Sequence, residues 1–70
     1  MKLILTKHAK QRMSERGISI KEVEQVLEFP DYTIKKNNKI ESYKKVQARE
    51  IKVVHRAEGK FIKIVTVITR

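Results

Sequence analysis

The apolar positions change their spacing once along the chain. Up to Pro30 they recur at helical intervals, and after it they alternate. Met1 to Leu5 reads as a short strand or a packed N-terminal arm. Thr6 is then placed as an N-cap, with a hydroxyl to accept an orphan amide of the first turn. Lys7 to Arg16 holds good helix formers, and Ala9 and Met13, four apart, form its apolar stripe. Gly17 stands where a left-handed cap is wanted. Ser19 and Glu22 make a capping box. Ile20, Val23, Val26 and Leu27 then mark the buried face of a second helix, which Pro30 ends.

Beyond Pro30 the period is two. Tyr32 to Lys35 predicts a strand, Lys36 to Lys39 a turn built on two asparagines, and Ile40 to Val46 a second strand. Ala48 to Arg56 predicts a third, with Arg49, Ile51, Val53 and His55 on one face. Ala57 to Lys60 is a second turn. Phe61 to Thr69 is a fourth strand, with Thr66 on the face of Ile64 and Ile68. Both faces of this strand are largely apolar, which predicts a central position. The expected fold is α+β: two N-terminal helices on one face of a four-stranded antiparallel sheet, with the opening segment as a short strand in front. Residues 1–70 make a single domain, because 70 residues leave no room for a second core.

Composition narrows the function. There is no cysteine, so disulfides and thiolate metal sites are excluded. Two histidines make a structural zinc site a poor fit, and no cofactor is implied. No apolar run is long enough for a membrane span or an export signal, so a cytoplasmic protein is expected. Seventeen Lys plus Arg against eight Asp plus Glu give a net charge of +9. A field of that sign attracts polyanions: nucleic acid, or an acidic protein segment.

The sharpest constellation is the row His8, Arg12 and Arg16 on the first helix. Steps of four drift by about 40°, and eight residues rise about 12 Å, so one imidazole and two guanidiniums share a face. An imidazole is a proton-transfer group near neutral pH, and guanidiniums grip phosphate oxygens and offset transition-state charge. Those are the parts of metal-independent RNA cleavage. The same row also fits the solvated side of an amphipathic helix. Within the strands, Arg49, Tyr43, Lys45, His55 and Thr66 are the polar candidates. Thr66 also suits a strand simply as a β-branched residue, and Tyr43 as core or as a platform for a base. Lys7 and Lys10 add positive charge beside the row. A helix-turn-helix is disfavoured, because the second helix carries Glu22, Glu24 and Glu28 where DNA phosphates would approach.

The stretch His8-Ala9-Lys10-Gln11-Arg12-Met13-Ser14-Glu15-Arg16, with Ile18-Ser19 after it, resembles the opening H-A-x-x-R-M-x-E-R motif of a family of small bacterial and archaeal proteins of unknown function. Tyr43, the segment from Arg49 to Val54 and the segment from Ile64 to Ile68 resemble its later parts. That family is similar to the RelE-like ribonuclease toxins. The resemblance implies a RelE-like fold and a metal-independent endoribonuclease, the toxin-like component of a toxin-antitoxin pair. It supports His8, Arg12, Arg16, Arg49 and Thr66 as catalytic and gives Tyr43 weak support; the basic charge beside them makes Lys7, Lys10 and Lys45, with Tyr43, the candidates for contacting RNA. The implied partners are RNA, including ribosome-associated RNA, and an antitoxin protein. A homodimer is a further arrangement open to a small sheet with free edges. Ala48 stands where relatives often have Gly, a harmless change unless the backbone there needs positive φ. The other reading of the same charge is a non-catalytic basic module that binds RNA or protein.

Overall fold

The computed structural model describes residues Lys2–Arg70, so Met1 of the expected opening segment lies outside the described residues. The elements are β1 (Leu3–Leu5), α1 (Lys7–Arg16), α2 (Ile20–Glu28), β2 (Tyr32–Lys36), β3 (Lys39–Val46), β4 (Arg49–Glu58) and β5 (Phe61–Thr69). The domain is α+β, with two helices and a single five-stranded sheet in the order β1-β5-β4-β3-β2.

The caps form where their chemistry requires. Thr6 Oγ1 accepts from the Ala9 amide and donates to the Val65 carbonyl, both at 3.0 Å, so one hydroxyl starts α1 and ties it to the sheet. Gly17 adopts φ 62°, and Ile18 donates to the Met13 carbonyl, which closes α1 in a Schellman turn. At the start of α2, Ser19 and Glu22 satisfy each other's backbone amides as a complete capping box. Pro30 follows the helix, as its lack of helical compatibility for the preceding residue demands.

Three features differ from the sequence expectation. First, the sheet is mixed and has five strands instead of four antiparallel ones. β1 pairs in parallel with β5, Leu3 to Ile62 through Leu5 to Ile64, and this makes β5 internal as predicted. Second, β2 runs one residue further, to Lys36, and β3 starts one residue earlier, at Lys39, so the turn is Asn37-Asn38 alone and not Lys36 to Lys39. β4 runs Arg49–Glu58, not Ala48–Arg56, because Gln47 and Ala48 both take positive φ (52° and 64°) and form the turn. The departure at Ala48 thus falls on a backbone position that does need left-handed geometry. Third, a bulge interrupts the β4–β5 ladder: Val54 pairs with Thr66 and His55 with Ile64, so Val65 is the extra residue.

The bulge resets the faces of β5. Ile64 and Val67, three apart, both reach the core beneath the helices. Thr66, adjacent to Val67 and opposite Val54, therefore faces away from the helices with Ile68, and not with Ile64 as strict alternation predicts. The core contains Ala9 and Met13 of α1, Ile18, Val23 and Val26 of α2, and Ile51, Val53, Ile64 and Val67 of the sheet. Burying such an aliphatic side chain is worth about 1.5–3 kcal/mol, so these residues carry most of the favourable free energy of folding.

Candidate functional site

The row on α1 forms as its spacing dictates, but its members meet different surroundings. His8 is exposed in the first turn. The Arg12 guanidinium is drawn back along its own helix to Glu15 at 3.0 Å, an exposed pair of little energetic weight. Arg16 is half-buried, and its Nε lies inside the protein without a hydrogen-bond partner.

Arg49 ends elsewhere than in a phosphate pocket. Its Nη1 donates to the Arg16 carbonyl at 2.8 Å, and its Nη2 to the Gly17 carbonyl at 3.0 Å and to the Glu22 carboxylate at 3.2 Å. A sheet arginine thus completes the C-terminus of α1 and locks onto the capping box of α2. The planar fork suits two carbonyls and a carboxylate at once. The Glu22 carboxyl is held below its usual range, first by the Ser19 amide and then by Arg49, which together outweigh the effect of burial. His8 lies at the other end of α1, about 12 Å along the axis. Thr66 lies on the opposite side of the sheet. The five residues His8, Arg12, Arg16, Arg49 and Thr66 are therefore not gathered around one cleft.

The sheet face opposite the helices brings other residues together. Pairing Tyr32 with Tyr43 across the β2–β3 hairpin puts their rings side by side on this face, 4.5 Å apart and within 11° of parallel. Tyr43 is only 4% exposed, because Tyr32 covers one side and Lys52 stands 5.6 Å from its centroid on the next strand. The guanidinium of Arg70 lies 5.8 Å from the same ring. Tyr43 donates its hydroxyl hydrogen to Glu41 at 3.0 Å, and Lys52 and Lys36 reach the other Glu41 oxygen at 3.3 and 3.7 Å. Burial would raise the Glu41 carboxyl, but these donors hold it below its usual range. Burial likewise acts to lower Lys52, yet Glu41 and Tyr43 raise it above the usual ammonium range. Both groups stay charged around neutral pH, so the cluster is a fixed electrostatic platform. Tyr32 donates to Glu50 at 3.4 Å and is 46% exposed, with its outer ring face turned to the edge of the sheet. Burial, and then Glu50, push its hydroxyl above the usual phenol range.

Of the RNA-contact candidates, Tyr43 and the exposed Lys45 belong to this open face, while Lys7 and Lys10 are exposed on α1. Tyr32, Lys36, Lys52 and Arg70 escaped the sequence reading. The signal for Tyr32 was present: a two-residue turn at Asn37-Asn38 fixes the register that sets it opposite Tyr43. On the helix side, Ser42 Oγ and His55 Nε2 are 2.8 Å apart, and burial lowers the His55 imidazole below its ordinary value. Ser42 is only 2% exposed, so this pair satisfies buried polar atoms and offers no accessible nucleophile.

No group of three His, Asp or Glu side chains among the described residues stands close enough to share a metal ion. No helix among them is long and apolar enough to cross a membrane. The class of protein that emerges is a small α+β domain with one helix-covered face and one basic, aromatic face. The chain belongs to the family described as a domain of unknown function, DUF4258, which matches residues 5–69. No curated protein and no solved structure matches it.

Proposed function

We propose that the protein binds single-stranded RNA across its open sheet face, with Tyr32 as the platform for a base. One observation carries this reading: an exposed ring already stacked on a buried one, among cations that stay charged. Stacking on an aromatic ring is worth about 1–3 kcal/mol per base and works with any sequence. Lys36, Lys45, Lys52 and Arg70 stand where the phosphates flanking such a base would run. The net charge of +9 supplies the attraction over distance.

Fluorescence anisotropy with a labelled 12-nucleotide RNA in EDTA tests it. Tyr32→Ala should weaken binding about tenfold to a hundredfold, in line with about 1–3 kcal/mol per stacked base, while Tyr32→Phe retains most of it. Affinity should fall linearly with salt on logarithmic axes. Equal affinity of wild type and Tyr32→Ala would remove the platform.

A second reading, favoured by the exposure of His8 one helical turn before Arg12 on α1, is that the bound RNA is cut. The protein would then be a metal-independent, toxin-like endoribonuclease restrained by an antitoxin protein. His8 would transfer the proton and Arg12 would hold the phosphate, without Arg49 or Thr66. The same RNA mixtures on a denaturing gel decide between the two. Cleavage in EDTA that disappears in His8→Ala supports the enzyme, and intact RNA leaves the binding domain.

A further inference from the structure

One level of the open sheet face departs from the pattern around it. Lys36 pairs with Lys39 across the β2–β3 hairpin, and Arg56 pairs with Lys63 across β4 and β5. Ile40 pairs with His55, so one step further along the same ladder Lys39 stands opposite Arg56. Lys36, Lys39, Arg56 and Lys63 therefore line up across four neighbouring strands. Glu41 and Val54 face away from the helices, and alternation from them puts Lys39 and Arg56, with their partners, on that same face. Strands about 4.8 Å apart make the row about 14 Å long. The other levels that cross the same four strands hold one lysine at most.

Such a row works against folding. Like charges directly opposite one another destabilise a sheet, and here three such pairs follow in succession. Carboxylates offset the row only in part. Glu58 approaches Arg56 at 3.9 Å and Lys63 at 3.6 Å, and Glu41 approaches Lys36 at 3.7 Å, all longer than a charge-assisted hydrogen bond. Glu41 is also held by Tyr43 and Lys52. An arrangement that costs the fold stability points to a use outside the fold. What offsets a line of cations is a line of anions on one flexible chain, which lysines meet as point charges and arginine with a fork. The exposed ring of Tyr32 on the same face favours a chain that carries bases over an acidic peptide. We propose that this row is the track on which the sugar-phosphate backbone of a single-stranded RNA crosses the sheet, from the β2 edge to β5. The inference rests on the reading that RNA lies on this face. Its test separates the row from the platform, because Tyr32 is four residues from Lys36 along β2, about 13 Å.

The salt dependence of RNA binding by the full chain tests it. Each phosphate contact on a single strand contributes about 0.7 to the slope of log affinity against log salt. The double variant Lys39→Gln, Lys63→Gln should therefore lose about 1.4 of that slope, measured by anisotropy with a labelled RNA over a series of KCl concentrations. Lys21→Gln with Lys35→Gln removes the same charge from exposed positions on α2 and on the helix side of β2, and should keep the wild-type slope. The row variant should melt no lower than wild type, since it separates like charges; a marked fall would make the row a structural pairing and overturn the proposal. An unaltered slope in the row variant, or an equal loss in both double variants, overturns it as well. Displacement of the RNA by poly-glutamate at equal charge concentration would give the row to an acidic protein segment, and the RNA assignment would fall. Failure of the platform shows separately, as unaltered RNA affinity in Tyr32→Ala, and absence of any RNA binding overturns both readings.

Discussion

The two faces of the sheet obey different rules. Under the helices, side chains pack by shape: Ile51, Val53, Ile64 and Val67 fill the space below Ala9, Met13, Val23 and Val26. On the other face, an aromatic pair and a set of ion pairs bury one another without a covering layer. This face buries Tyr43 and Glu41 against its own side chains and leaves Ile34 exposed at its edge. The lesson is that one side of a thin sheet is held by apolar packing and the other by stacking and ion pairs.

The sharpest way to break this contrast is to truncate one isoleucine on each side. Ile51→Ala, fully buried, should cost about 2–5 kcal/mol, enough to unfold a domain this small near body temperature. Ile34→Ala, 39% exposed on an edge strand, should stay within about 0.5 kcal/mol. Urea denaturation of the pair measures both. Comparable losses would mean that the open face is a second core.

Arg49→Met comes next. It removes the guanidinium that joins the end of α1 to the start of α2, and the lost charge-assisted bonds should cost about 1.5–3 kcal/mol. Acid sensitivity changes with it. A carboxyl held low when folded stabilises the protein above its unfolded pKa and loses that contribution as pH falls through its folded value. Glu22 supplies part of this acid limb, and Arg49→Met should shrink that part. Glu41, held low on the other face, should be untouched. Thermal melts between pH 5 and pH 2 check the difference.

His55 gives a smaller effect at higher pH. Its imidazole is lowered when folded, so the unfolded chain takes up a proton first, and stability falls as pH drops below the ordinary value near 6.5. His55→Gln keeps a partner for Ser42 and should flatten the melting temperature between pH 7 and pH 5. A persistent slope would place the titrating group elsewhere.

Ala48→Gly is the mildest change. Its φ of 64° is costly for a residue with a Cβ, so glycine should add about 0.5–1 kcal/mol, read as a higher urea midpoint with unchanged slope.

Much of the scaffold was legible in the residues, for local reasons. Thr6, Gly17, Ser19 and Glu22 act within a few positions of themselves, so both helices begin and end where their caps imply. β5 is bounded as its apolar run predicts. What escaped was long-range. Three residues of β1 carry no signal for a parallel partner almost sixty positions away. The bulge at Val65 sits in a segment apolar on both sides, where a slip of one residue changes no hydrophobic pattern and so leaves no trace. Thr66 was assigned to the wrong side for that reason. The α1 row followed from spacing alone, but the destination of Arg49 depended on a turn thirty-two positions earlier in the chain. The tyrosine stack needed only the hairpin register.

The pairing of β1 with β5 also governs when the protein can exist. Translation delivers residues 3–5 first, yet their only partner strand is residues 61–69, which is also the inner neighbour of β4. Until that segment has left the ribosome, β1 has no neighbour and α1 lacks the strand it packs on. The domain therefore folds only once its final strand has left the ribosome.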